Sequence, residues 1–137
     1  MTYDEVLEEA MKLNVDEQKA LVKAVRFDYS RAERIKVQTR ECKEYIADYS
    51  EKMGKAMGIE PEKIFTKSRC RNVVFIRWVI WNNLWHKGYS TTIIGGSCGY
   101  DHAIILRGTK NVDDVRRNPA YDPELSEYVR KFDEVIK

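Results

Sequence analysis

The chain has 137 residues, of which 43% are hydrophobic and 34% charged, with a formal net charge of +2. That length suits one domain with an accessory segment, and that apolar content supports a core and argues against bulk disorder. No run approaches the roughly 18 apolar residues of a membrane span, and the acidic start lacks the basic-then-apolar pattern of a secretion signal.

In chain order, Thr2-Tyr3-Asp4-Glu5 is a capping box, a hydroxyl cap with Glu three residues on. Val6, Leu7, Ala10 and Met11 follow at helical spacing. Asn14-Val15-Asp16-Glu17 repeats the cap signal before Leu21, Val22, Val25 and Phe27. Residues 3–27 therefore predict a short helical hairpin whose apolar faces need a partner, either the rest of the chain or a second copy. Residues 26–40 hold five basic and two acidic side chains with little periodicity. They predict either a helical extension or a linker, and either a solvated face or a phosphate-contacting arm.

Cys42, Tyr45, Ile46, Tyr49, Met53 and Ala56 mark one face of an amphipathic helix that Gly58 ends. Ile64 and Phe65 are expected under the core, and residues 66–71, polar and basic, form a loop. A helix over about 73–86 is apolar nearly all round, as a central helix is, with Arg77 the exception. Ser90 caps a short helix over about 91–97, Gly99 makes a turn, and Asp101 caps a longer helix that includes Ile104, Ile105 and Val112. Asn118-Pro119 breaks the chain, and Asp122-Pro123-Glu124 opens a last helix striped by Leu125, Tyr128, Val129, Phe132 and Ile136. No strand is expected.

Charge is unevenly spread. Residues 58–110 carry a net +5 and residues 1–25 a net −3, so an anionic partner is expected at the first of these segments. The three cysteines, Cys42, Cys70 and Cys98, form no CxxC pair and no metal-ligand spacing. They read as small buried hydrophobes or idle thiols in a reducing cytoplasm, with no metal and no cofactor expected.

Gly95-Gly96-Ser97-Cys98-Gly99 matches the nucleophile-elbow pattern G-x-S-x-G. That motif needs a preceding strand and a large α/β sheet. Here a helix precedes it, so Ser97 is not expected to be a nucleophile, and no catalysis is expected. No phosphate-binding G-x-x-x-x-G-K-[ST] loop is present.

The two helices around Gly99 fit a helix-turn-helix. In that motif the second helix enters the DNA major groove by its N-terminal end. Asp101 then accepts from a cytosine amine, caps its own helix, or does both. His102 donates to a base or phosphate, and Ala103 and Ile104 touch a thymine methyl, with core packing the alternative for Ile104. Arg69 and Arg71 on the preceding loop suit a minor groove. Lys67, Arg77, Lys87, Arg107 and Lys110 are candidate phosphate contacts, with an ion-paired or snorkelling role the alternative for Arg77.

The order Ser68-Arg69-Cys70-Arg71-Asn72-Val73, then Arg77, then Ser90-Thr91-Thr92-Ile93-Ile94-Gly95, then Gly99-Tyr100-Asp101-His102-Ala103-Ile104-Ile105-Leu106 resembles the C-terminal DNA-binding domain of the bacterial replication initiator DnaA. The resemblance covers about residues 42–115. It implies an all-α helix-turn-helix bundle of the DnaA C-terminal, Trp-repressor-like type. It also implies that Arg69 enters the minor groove, that Arg77 touches DNA from the scaffold helix, and that Asp101 and His102 meet base edges. Two departures stand out. Ala103 and Ile104 replace the family's usual pair of hydroxyl residues, and Tyr100 stands where an arginine is often found. The DNA target is therefore expected to differ from the initiator's own. The family's ATPase domain has no counterpart here, and the chain resembles small phage- or mobile-element-type proteins that carry only the DNA-binding module.

The expected organisation is an N-terminal hairpin and basic connector over 1–40, a DnaA-like domain over 41–115 and a C-terminal helix over 116–137. The expected function is sequence-selective binding of double-stranded DNA in replication or transcription control, with the hairpin available for a homodimer or protein partner. The alternative is a protein-interaction module on a drifted helix-turn-helix scaffold.

Overall fold

The computed structural model describes residue 2 and residues 15–136, with side chains at Thr2, at Lys19 and over residues 30–136. The first helix expected for the N-terminal hairpin, over residues 3–14, lies outside the described residues. The chain divides into two units, Met1–Val37 and Gln38–Lys137. All regular structure among the described residues is helical.

Helix α1 runs unbroken from Val15 to Met57. The segment 26–40 is thus helical extension and not linker. No glycine or proline occurs between residues 15 and 53, so nothing in the chain stops helix propagation there. In the second unit α1 buries Cys42, Ile46, Tyr49 and Met53 at spacings of four, three and four, while Tyr45 and Ala56 of the expected stripe are exposed. A short 3₁₀ turn, Pro61–Lys63, follows, and Ile64 behind it is wholly buried.

Helix α2, Arg71–His86, is the centre of this unit. It buries Val73, Phe75, Ile76, Val79, Ile80, Trp81 and Leu84. Such a helix has no polar face to give to solvent and needs neighbours on several sides. Helices α3, Thr91–Cys98, α4, His102–Arg117, and α5, Pro123–Ile136, all pack against it.

Each of these later helices begins at its expected cap. Ser90 Oγ accepts from Ile93 N (3.2 Å), Asp101 Oδ1 from Ala103 N (2.8 Å), and Asp122 Oδ1 from Leu125 N (3.1 Å). Each bond satisfies an amide that the helix start otherwise leaves open. Gly99, at φ +77°, turns the chain between α3 and α4. A side chain is disfavoured in that left-handed conformation. A second glycine has a different reason. At Gly108 an added Cβ would lie 2.4 Å from the Trp78 ring, so α4 approaches α2 more closely than any side chain there would allow. Helix α5 joins the same core through Leu125, Val129 and Phe132, the last meeting Tyr49 edge-on at 5.5 Å between ring centroids.

Candidate nucleic-acid interface

Helix α4 has two unlike sides. Ile105, Gly108, Thr109, Val112 and Val115 face the core. Ala103, Arg107 and Lys110, spaced four and three apart, lie on the opposite side and are exposed. His102 and Ile104 flank them in the first turn. Ile104 is 51% exposed while its neighbour Ile105 is fully buried, so the core-packing alternative belongs to Ile105 alone. Asp101 caps the helix with Oδ1 and also lies 3.4 Å from His102 Nδ1. Leu106, one turn after His102, is 36% exposed. The sequence reading did not single it out, although its spacing from His102 places it on an outer face.

The loop before α2 is fixed from inside. Arg77 is only 6% exposed. Its Nε donates to the carbonyl of Ile64, and its Nη2 donates to the carbonyls of Thr66 (2.6 Å) and Ser68 (2.8 Å). Its guanidinium sits 5.3 Å from the centre of the Tyr100 ring. Burial pushes the Arg77 pKa below its ordinary value, and neighbouring Tyr100 and Cys98 push it back up. The expected DNA contact by Arg77 is therefore corrected: its donors point inward at loop carbonyls, and it acts as a positioning residue for the loop.

Tyr100 is committed in the same way. Its hydroxyl donates to the Thr66 carbonyl at 2.6 Å, and its ring packs on Trp81 at 5.2 Å and on Phe65 at 6.3 Å. Tyr100, also a candidate for DNA contact, thus ties the α3–α4 turn to the loop. Thr66 accepts from both residues, a focal role for a main-chain carbonyl that no side-chain pattern announces. The loop adds local bonds of its own, from Ser68 N to Thr66 Oγ1 and from Cys70 N to Ser68 Oγ, both 3.3 Å.

These ties hold Lys67 and Arg69 beside the turn that leads into Asp101 and His102. Both cations are exposed, as are Arg107 and Lys110. Among the described residues none of the four makes an ion pair, while most other basic groups of α5 and of the α4 end do. Two expected contacts separate from this group. Arg71 Nη1 lies 3.0 Å from Glu124 Oε2 and ties α2 to α5. Lys87 follows the far end of α2, about 24 Å along the helix at ~1.5 Å per residue, and sits over the Tyr45 ring at 5.0 Å.

The remaining reactive groups are engaged elsewhere. Ser97 Oγ lies 2.8 Å from the Ile93 carbonyl and 3.2 Å from that of Thr39. His86 Nε2 meets Asp113 Oδ1 at 2.8 Å, and Asn82 Nδ2 donates to the same oxygen at 2.8 Å. All three cysteines are free thiols. Burial pushes the Cys42 thiol up to about 11, against a smaller opposing effect of Ser97. Among the described residues no cluster of His, Cys, Asp or Glu has the arrangement of a metal site, and no helix is long and apolar enough to cross a membrane.

Comparison with family models, with curated proteins and with solved structures found no match to this chain.

Proposed function

We propose that this protein binds double-stranded DNA with sequence selectivity, α3, the Gly99 turn and α4 forming a helix-turn-helix of the DnaA C-terminal, Trp-repressor-like type. One observation carries the reading. The buried Arg77 and the half-buried Tyr100 hold the 66–70 loop beside the exposed start of α4, so two unlike reading elements are fixed relative to each other. The first turn of α4 offers Asp101, His102, Ala103 and Ile104 to base edges in a major groove. Arg69 on the loop serves the adjoining minor groove. Lys67, Arg107 and Lys110, without ion pairs among the described residues, serve phosphates. Such a protein acts by occupying a site in replication or transcription control, without catalysis.

The test is a salt titration of binding to duplex DNA. Each phosphate contact contributes a slope of about −0.9 to log affinity against log salt. Arg69→Ala should therefore flatten the slope by roughly one contact, and an unchanged slope removes Arg69 from the interface. His102→Ala should weaken a selected site far more than random duplex, and equal losses on both would refute base reading by His102.

A second reading is favoured by the exposure of Ile104 and Leu106 on α4. Here the helix-turn-helix is a scaffold for a protein partner. Failure to bind any duplex even near about 50 mM salt, where phosphate contacts are strong, favours it.

A further inference from the structure

We infer that Ala103 and Ile104 read thymine through its C5-methyl group, an inference that rests on the DNA reading above. Both side chains are exposed on the first turn of α4, Ile104 by 51%. Neither carries a donor or acceptor, so neither can bond a phosphate or a base nitrogen or oxygen. In the major groove the apolar group on a base edge is the thymine methyl. A cytosine in its place presents an amine, which these side chains would strip of water without pairing.

The surroundings decide the kind of occupant. Arg107 and Lys110 lie on the same outer side of α4 and make no ion pair among the described residues; Lys67 and Arg69 on the tied loop are the same. An apolar step with Arg107 and Lys110 farther along its helix face, and with Lys67 and Arg69 exposed on the tied loop, is complementary to a polyanion that carries methyl groups, and less so to an uncharged apolar peptide. Asp101 keeps its place beside this step. Oδ1 is engaged by the Ala103 amide, and Oδ2 is left to accept from a base amine. The recognition turn is thus divided into a methyl-reading half and an amine-reading half.

The probe is the tightest-binding duplex enriched by the full chain from a random-sequence library, made once with dT and once with dU at every thymine position. The dU duplex lacks only the methyls. It should bind about fourfold more weakly for each contacted methyl, and about fifteenfold for two. Ile104→Ser, a change at an exposed position, should weaken the dT duplex and narrow the difference between the two. Because the decisive change is made in the DNA, the comparison holds whatever a variant does to folding. A dT/dU ratio below about 1.5 is smaller than one buried methyl can give, and it overturns methyl reading while leaving DNA binding intact. A ratio that Ile104→Ser leaves unaltered also overturns it, since the methyls then act through duplex shape. Enrichment of no duplex near about 50 mM salt overturns the DNA reading itself.

Discussion

Arg77→Ala tests whether the loop is held from within. The carbonyls of Ile64 and Ser68 lose the Arg77 donor, and that of Thr66 loses one of its two and keeps Tyr100. Thr66 is exposed and Ser68 half-buried, so water can replace the guanidinium there. Ile64 is fully buried, and its carbonyl left without a partner costs about 1–3 kcal/mol. Removing the cation from the Tyr100 face costs about 1–2 kcal/mol more. Relief of the buried charge returns part of this, leaving a net loss of about 2–4 kcal/mol. At ~4–8 °C per kcal/mol for a unit of this size, the melting temperature should fall by about 8–32 °C. Urea denaturation reads the stability, with an unchanged m-value marking a loss confined to the native state. Limited trypsin digestion supplies a second readout, since a released loop exposes the bonds after Lys67 and Arg69. Arg77→Lys should not restore the wild-type values, because one ammonium lacks the planar fork that reaches separate acceptors. A loss under about 0.5 kcal/mol, within the range of ordinary surface changes, together with unchanged cleavage, would refute the reasoning.

Two further outcomes are expected. Burial raises the Asp113 pKa, but hydrogen bonds from His86 and Asn82 together with electrostatic attraction to His86 and Arg117 outweigh it, and the carboxyl titrates below its ordinary value. Asp113 therefore stabilises the fold above the ordinary carboxylate range, and that contribution is lost as pH falls through its folded-state value. In Asp113→Asn the urea midpoint should fall above the ordinary carboxylate range and draw back toward the wild type as pH falls below that range; a gap that stays constant as pH falls counts against the linkage. Gly108→Ala should destabilise by about 1–3 kcal/mol, despite the ~1 kcal/mol that alanine gains in a helix, because the new Cβ meets the Trp78 ring near its root. A raised melting temperature would show that α2 and α4 separate without strain.

What the sequence made legible was local. The caps at Ser90, Asp101 and Asp122 involve residues two or three apart, so their signals are complete within a short window. The all-helical class and the stripe from Cys42 to Met53 are legible for the same reason. The unbroken run of α1 carried a weaker signal, the absence of any stop before Gly54, which the charged segment 26–40 masked. Arg77 was not legible in the same way. Its partners lie 9 to 13 residues earlier in the chain, on a loop with no periodicity. Ile104 and Ile105 are adjacent and chemically identical, so only the direction of packing of α4 assigns one to the core and the other to solvent. Tyr100 was read by analogy with an arginine position. Its hydroxyl instead donates to the carbonyl of exposed Thr66, 34 residues earlier in the chain.

The shared carbonyl of Thr66 has a thermodynamic consequence. A flexible arm that closes on its target gives up conformational freedom on contact, at about 1–2 kcal/mol of entropy per ordered residue. Here Arg77 and Tyr100 settle the path of the 66–70 loop during folding, so that entropy is already lost before any partner arrives. The gap between the loop and α4 behaves as a gauge of set width. On the proposed DNA reading, a target whose grooves match that spacing is bound with little reorganisation of the loop.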